Sequence, residues 1–109
     1  MKIHLIKRAT LEAFIWEHGR SRTSLEDWLE KIKQADWQTP NDIRQTFNAA
    51  DLLGNSKRVV FNIAGNNYRM ICKYVFGAKQ IHLFVCWMGT HTEYDKLCDA
   101  GNQYTVNVY

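Results

Sequence analysis

His91, Tyr94 and Asp95 sit close together in the segment Gly89-Thr90-His91-Thr92-Glu93-Tyr94-Asp95-Lys96, and Arg58, Arg69 and Lys73 lie upstream. Histidine titrates near neutrality and can act as acid or base. Tyrosine can donate or accept a proton, or stack on a base. Arginine keeps its charge and presents a fork of donors that matches a phosphate. This set suits cleavage of RNA, which needs a group to take the 2′-hydroxyl proton, cations around the phosphate and an acid at the leaving oxygen. Other chemistries find less support. His4, His18, His82 and His91 are scattered, and His91 with Asp95, though spaced i, i+4, gives two ligands where a zinc site needs more. No metal and no cofactor is therefore expected. Gly65 and Gly77 read as hairpin turns, not as a phosphate loop between strand and helix. Cys86 reads as a buried, inert thiol.

The segment 58–96 must position these groups. Residues 58–64 and 67–76 flank Gly65-Asn66, a favoured two-residue hairpin loop, and residues 79–88 follow a second turn at Gly77-Ala78. The expectation is a three-stranded antiparallel meander with Asn62 opposite Arg69 and Arg58 opposite Lys73. The second turn would then set Lys73 opposite His82 and Arg69 opposite Cys86. Side chains alternate along strands. One face then carries Val59, Phe61, Ile63, Tyr68, Met70, Cys72, Tyr74, Ile81, Leu83, Val85 and Trp87, ready to pack under helices. The other mixes Arg58, Asn62, Arg69, Lys73 and His82 with Val60, Ile71, Phe84, Cys86 and Met88. Like charges directly opposite one another destabilise a sheet, and a polyanion would relieve Arg58 and Lys73. Phe84, among the cations, could stack a base.

Around this meander, Lys2–Ile6 is a strand candidate. A first helix is expected after Thr10, with Gly19 beyond its end. Thr23-Ser24-Leu25-Glu26 matches a capping box for a second helix over 24–36, on whose surface Lys31 and Lys33 are solvated. Thr39-Pro40-Asn41-Asp42 opens a short third helix, residues 48–57 read as a loop, Thr90 can cap a helical turn, and 103–108 form a last strand or tail. Trp28, Trp37 and Trp87 are expected in the core. Helices preceding consecutive strands indicate α+β architecture, and 109 residues fit a single domain, 1–109. The formal net charge of +3 is a weak argument for nucleic acid, so the clustered cations carry more weight. Three cysteines without CxxC spacing suggest reduced thiols in the cytoplasm. No apolar run of ~18 residues suggests a membrane span, and no signal-like start suggests secretion.

The run VVFNIAGNNYRMICKYVF, followed by MGTHTEYDK, resembles the HigB-type toxins of bacterial type II toxin–antitoxin systems, relatives of the RelE group. Ala35-Asp36-Trp37, Ala50-Asp51 and Gly54-Asn55 fit the same family. The resemblance implies a compact RelE-like fold, with N-terminal helices on an antiparallel sheet, and a metal-independent endoribonuclease that cuts mRNA during translation on the ribosome. It also implies a cognate antitoxin, a HigA-like helix-turn-helix protein, as partner. It places catalysis at His91, Tyr94, Arg69 and Lys73, with Asp95 and Lys96 in positioning or phosphate contact. Arg58, Asn62, His82 and Phe84 would extend the RNA surface. The competing reading is a non-catalytic RNA- or ribosome-binding module that uses the same surface to inhibit translation.

Overall fold

The computed structural model describes residues 1–6 and 8–109. Strand β1 (Lys2–Ile6) leads to helix α1 (Arg8–Glu17), a 3-10 turn (Gly19–Ser21), helix α2 (Arg22–Gln34) and the short α3 (Asp42–Thr46). Strands β2 (Asp51–Leu53), β3 (Arg58–Ile63), β4 (Tyr68–Phe76) and β5 (Gln80–Thr90) follow, then helix α4 (His91–Asp99) and a 3-10 turn (Asn102–Tyr104). The strands form one sheet in the order β1-β5-β4-β3-β2. The expected α+β architecture is present. The meander is antiparallel, but β1 pairs parallel to β5, so the sheet is mixed.

The core lies between one face of the sheet and the two long helices. In α1, Leu11, Phe14 and Ile15 are buried; in α2, Leu25, Trp28 and Ile32. The spacings i, i+3, i+4 in α1 and i, i+3, i+7 in α2 put each set on one stripe of its helix. They meet Val59, Phe61, Ile63, Met70, Ile81, Leu83 and Val85. Trp28 and Trp37 are core residues as expected.

Local differences from the sequence reading have identifiable causes. The capping box at Thr23–Glu26 does not form, because the Gly19–Ser21 turn runs straight into α2. Ser21 already has helical angles, φ −83 and ψ −11, and Thr23 lies inside the first turn, where its hydroxyl has no capping role. Helix α1 begins at Arg8, before the expected Thr10 start. Strand β2 arises within the expected loop, since three residues are too few to show a period, and pairing with β3 creates it.

Two differences reshape the functional face. The second hairpin turns at Ala78-Lys79, one residue later than expected. The Gly77 amide donates to the Gln80 carbonyl oxygen at 2.9 Å, and a Cβ on Gly77 would lie 2.9 Å from that same oxygen. Glycine is needed here for close approach beside the turn. The shift sets Lys73 opposite Phe84, not His82, and His82 opposite Val75. A β-bulge then interrupts β5: Cys72 pairs with Val85 and Ile71 with Trp87, which leaves Cys86 as the extra residue. An extra residue reverses the alternation beyond it. Met88 therefore enters the main core, Trp87 turns to the opposite face, and Arg69 faces Gly89, not Cys86.

Candidate active site

The sheet face away from α1 and α2 is laid out in cross-strand rows. Asn62, Arg69 and Gly89 form the row nearest the β3–β4 turn. Val60, Ile71 and Trp87 form the next, with Asp51 from β2. Leu53, Arg58, Lys73, Phe84 and Ile6 form the third. His4, His82 and Val75 form the last. The apolar second row is covered: Tyr94 and Leu97 of α4 and Val106 of the C-terminal segment pack on Leu53, Val60, Ile71 and Cys86. This cover divides the expected basic face into two open ends.

At the first end, α4 starts from a formed capping box. The Thr90 hydroxyl accepts from the Glu93 amide at 3.2 Å, and the Glu93 carboxylate accepts from the Thr90 amide at 2.8 Å. That amide bond holds the Glu93 carboxyl below its ordinary range. The His91 amide donates to the Asn67 carbonyl at 3.0 Å, tying the helix start to the β3–β4 turn. The cap thus fixes the backbone and leaves the His91 imidazole in solvent. Its Nε2 lies 3.3 Å from Asp95 Oδ2, with both side chains about half exposed. A carboxylate one turn on can orient the ring.

Arg69 stands one strand across from this helix start but is only 8% exposed. Its Nη1 donates to the Tyr68 carbonyl at 3.1 Å and its Nη2 to Asn66 Oδ1 at 3.4 Å. The expected open phosphate clamp is thus a largely covered cation braced against the turn, and three of its five donors remain. Tyr94 rests on Trp87, with ring centroids 6.1 Å apart. Burial pushes its phenol pKa well above the ordinary value; the neighbouring Cys98 and the Asp51 charge add to the rise, and the Arg69 charge opposes it. The phenol therefore keeps its proton at working pH. In that form it can donate a hydrogen bond.

Trp87, like Met88, lies on the face opposite to the one the sequence pattern predicts. The bulge moves it out of the core, and its indole folds over Gly89. A Cβ on Gly89 would lie 2.6 Å from the ring atoms Cη2 and Cζ2 and 3.1 Å from Glu93 Oε1. A glycine inside a strand, two residues after a tryptophan, was the available signal for this close approach. Gly89→Ala should push the indole off its seat and lower stability by about 1–3 kcal/mol. Scanning calorimetry would read this as a lower midpoint, and an unchanged midpoint would mean that the indole yields without cost.

The second end holds Lys73, which is exposed, and Phe84, which is half-buried. Arg58 lies beside them but is committed elsewhere. It is 9% exposed, and its Nη1 donates to the carbonyls of Val106 at 2.6 Å and Gln103 at 3.3 Å. The expected repulsion between Arg58 and Lys73 is thus relieved within the chain by two carbonyl oxygens. His82 belongs to neither end; its Nδ1 lies 3.4 Å from that of His4 across β1 and β5. Asn62 is exposed beside Arg69, and Lys96 is exposed on α4. His91, Tyr94, Asp95, Arg69 and Asn62 are therefore brought together, whereas Lys73 and Phe84 form a separate group four residues along β4. Among the described residues, no three His, Cys, Asp or Glu side chains gather as a metal-ligand set. No helix among them is long and apolar enough to cross a membrane.

Comparison with known proteins bears on this arrangement. The family model of HigB toxins, the RelE-like toxic component of a toxin-antitoxin system, matches residues 21–97. An mRNA interferase HigB from Escherichia coli O6:H1 (strain CFT073) is 31% identical over 96 residues, covering 87% of this chain and 91% of that protein. The matched span of the family model includes Arg69, Trp87, Gly89, His91 and Tyr94.

Proposed function

The chain belongs to the HigB toxin family, the RelE-like toxic components of toxin-antitoxin systems, and on that basis we propose that it is an endoribonuclease that cuts mRNA and thereby halts translation and growth. What carries the reading is the meeting, at one end of the sheet, of His91, Tyr94 and Asp95 on α4, which begins within the GTHTEYDK segment, with Arg69 on β4. His91, oriented by Asp95, takes the proton of the 2′-hydroxyl. The 2′-oxygen attacks phosphorus, the bond to the 5′-oxygen breaks, and a 2′,3′-cyclic phosphate forms. The leaving oxygen acquires a proton from solvent or from the imidazolium. Arg69 supplies positive potential beneath the developing charge, which a covered site makes stronger than open water would. Tyr94, kept protonated, donates a hydrogen bond there, and Trp87 offers a ring face on which a flanking base can stack.

The family membership implies an antitoxin partner. We assign that role to a helix-turn-helix protein of HigA type, and the site of action to ribosome-bound mRNA in the cytoplasm. Mapping 5′ ends of cellular RNA soon after induction tests the proposal. New ends inside translated regions are expected, and purified protein should leave cyclic or 3′-phosphate ends with chelator present. Growth arrest without new ends would instead favour a non-catalytic module that docks through the same face.

A further inference from the structure

The outer edge of β3 is covered only in part. Strand β2 pairs with Arg58–Val60, and before Asp51 the chain turns away, with the Ala50 amide donating to the Phe47 carbonyl at 3.0 Å. Residues of an antiparallel pair alternate between exchanging main-chain bonds with the partner and turning them outward. The Tyr74 amide donates to the Lys57 carbonyl at 2.8 Å, so Val59, Phe61 and Ile63 bond to β4, and Asn62 turns its N–H and C=O outward. Among the described residues, no strand lies beside Asn62 on that side.

Two hollows open along this edge on the α2 side. One of about 420 Å³ is lined by Thr23, Asp27, Trp28, Ile63, Ala64 and Gly65, and one of about 210 Å³ reaches Ala49 and Ala50. Both touch Lys31, Phe47 and Asn62, which makes them one groove. The charges that line it are Asp27 and Lys31, paired at 3.2 Å, with Lys31 also 5.9 Å from the centre of the Phe47 ring. The groove is therefore close to neutral and lacks the cations that RNA needs for its phosphates. An open strand edge beside apolar pockets is what an extended peptide takes: main-chain bonds hold it, and alternate side chains enter the pockets.

The same edge runs into the β3–β4 turn. There Asn66 Oδ1 accepts from Arg69 Nη2 at 3.4 Å, and the Asn67 carbonyl accepts from the His91 amide at 3.0 Å. A segment seated against Ile63, Ala64 and Gly65 leans on the turn that braces both residues.

We infer that this groove receives the antitoxin. An extended antitoxin segment pairs with β3 beside Asn62 and seats an apolar side chain against Trp28, Phe47 and Ile63. It disarms the nuclease through the turn and leaves the functional face open to solvent. The inference rests on the toxin reading for the identity of the partner, since family membership implies an antitoxin.

The test uses the full chain and the protein encoded beside the toxin gene. Thr23→Trp plugs the mouth of the larger hollow from an exposed position; Glu26→Trp, exposed on the same helix but outside the hollow, is the control. Thr23→Trp should weaken antitoxin binding by roughly 10- to 100-fold, and Glu26→Trp should leave it unchanged. Both variants should keep the wild-type thermal midpoint and, without antitoxin, the wild-type cleavage rate. Exchange of the Asn62 amide should slow at least ~10-fold in the wild-type complex. Equal antitoxin affinity in all three proteins, or an Asn62 amide that exchanges as fast in the complex as alone, would overturn the inference. So would a Thr23→Trp variant that loses a short RNA and keeps the antitoxin. If no RNA is cut but Thr23→Trp alone loses the antitoxin, the groove stands and the nuclease reading falls. If RNA is cut and the antitoxin ignores the substitution, the groove falls and the nuclease reading stands.

Discussion

Replacing His91 with alanine is expected to slow RNA cleavage by about 10²–10⁴-fold, the contribution typical of a positioned acid–base group. The same change should cost little stability. The imidazole is half exposed and touches Asp95 at 3.3 Å, a surface pair that contributes about 0–1 kcal/mol. The hydrogen bond that ties His91 to the turn comes from its main-chain amide, which alanine keeps. Single-turnover cleavage of one mRNA, read beside the thermal midpoint, separates the two effects. A variant that cuts at near wild-type rate would remove His91 from the chemistry. In cells, loss of cleavage should also lift the growth arrest.

Arg58→Met is expected to act in the opposite way, on the fold more than on the reacting groups. It removes the cation that holds the carbonyls of Gln103 and Val106 while keeping much of the side chain's bulk. A hydrogen bond to a charged group contributes about 1.5–3 kcal/mol. For a domain of this size that corresponds to a fall in melting temperature of roughly 6–20 °C. The segment from Gln103 to Val108 should also become open to limited proteolysis before the rest of the chain. An unchanged midpoint with an intact tail would show that the packing of Val106 alone keeps the segment in place.

The sequence carried most of the architecture because its signals were local. The Gly65-Asn66 turn fixed the first hairpin, and both predicted pairs, Asn62 with Arg69 and Arg58 with Lys73, are found. The helical spacing of Leu25, Trp28 and Ile32, and the Thr90–Glu93 cap, could be read for the same reason. The second hairpin was misjudged because a glycine needed for close approach resembles a glycine needed at a turn. The bulge at Cys86 leaves no mark on an apolar run, so Trp87 and Met88 were assigned to each other's faces. The functional face was legible in composition but not in division. Nothing in residue types shows that α4 and Val106 cover its centre, nor that Arg58 turns to the C-terminal carbonyls. Those contacts join residues far apart in the chain, beyond the reach of any local pattern.

The parallel pairing of β1 with β5 has an entropic consequence. His4 and His82 are 78 residues apart, and closing so long a loop from a free chain costs roughly 4 kcal/mol on a (3/2)RT ln n scale. The chain carries an intermediate fastening. The Met1 carbonyl accepts from the Trp37 amide at 3.0 Å, and the Met1 ammonium pairs with Asp36. Once that shorter loop is shut, β1 is held at the end of α2, and the stretch still to be closed is about half as long. Each halving saves about 0.6 kcal/mol. The residues Ala35-Asp36-Trp37 thus act as a latch that keeps the first strand in waiting until the last one arrives.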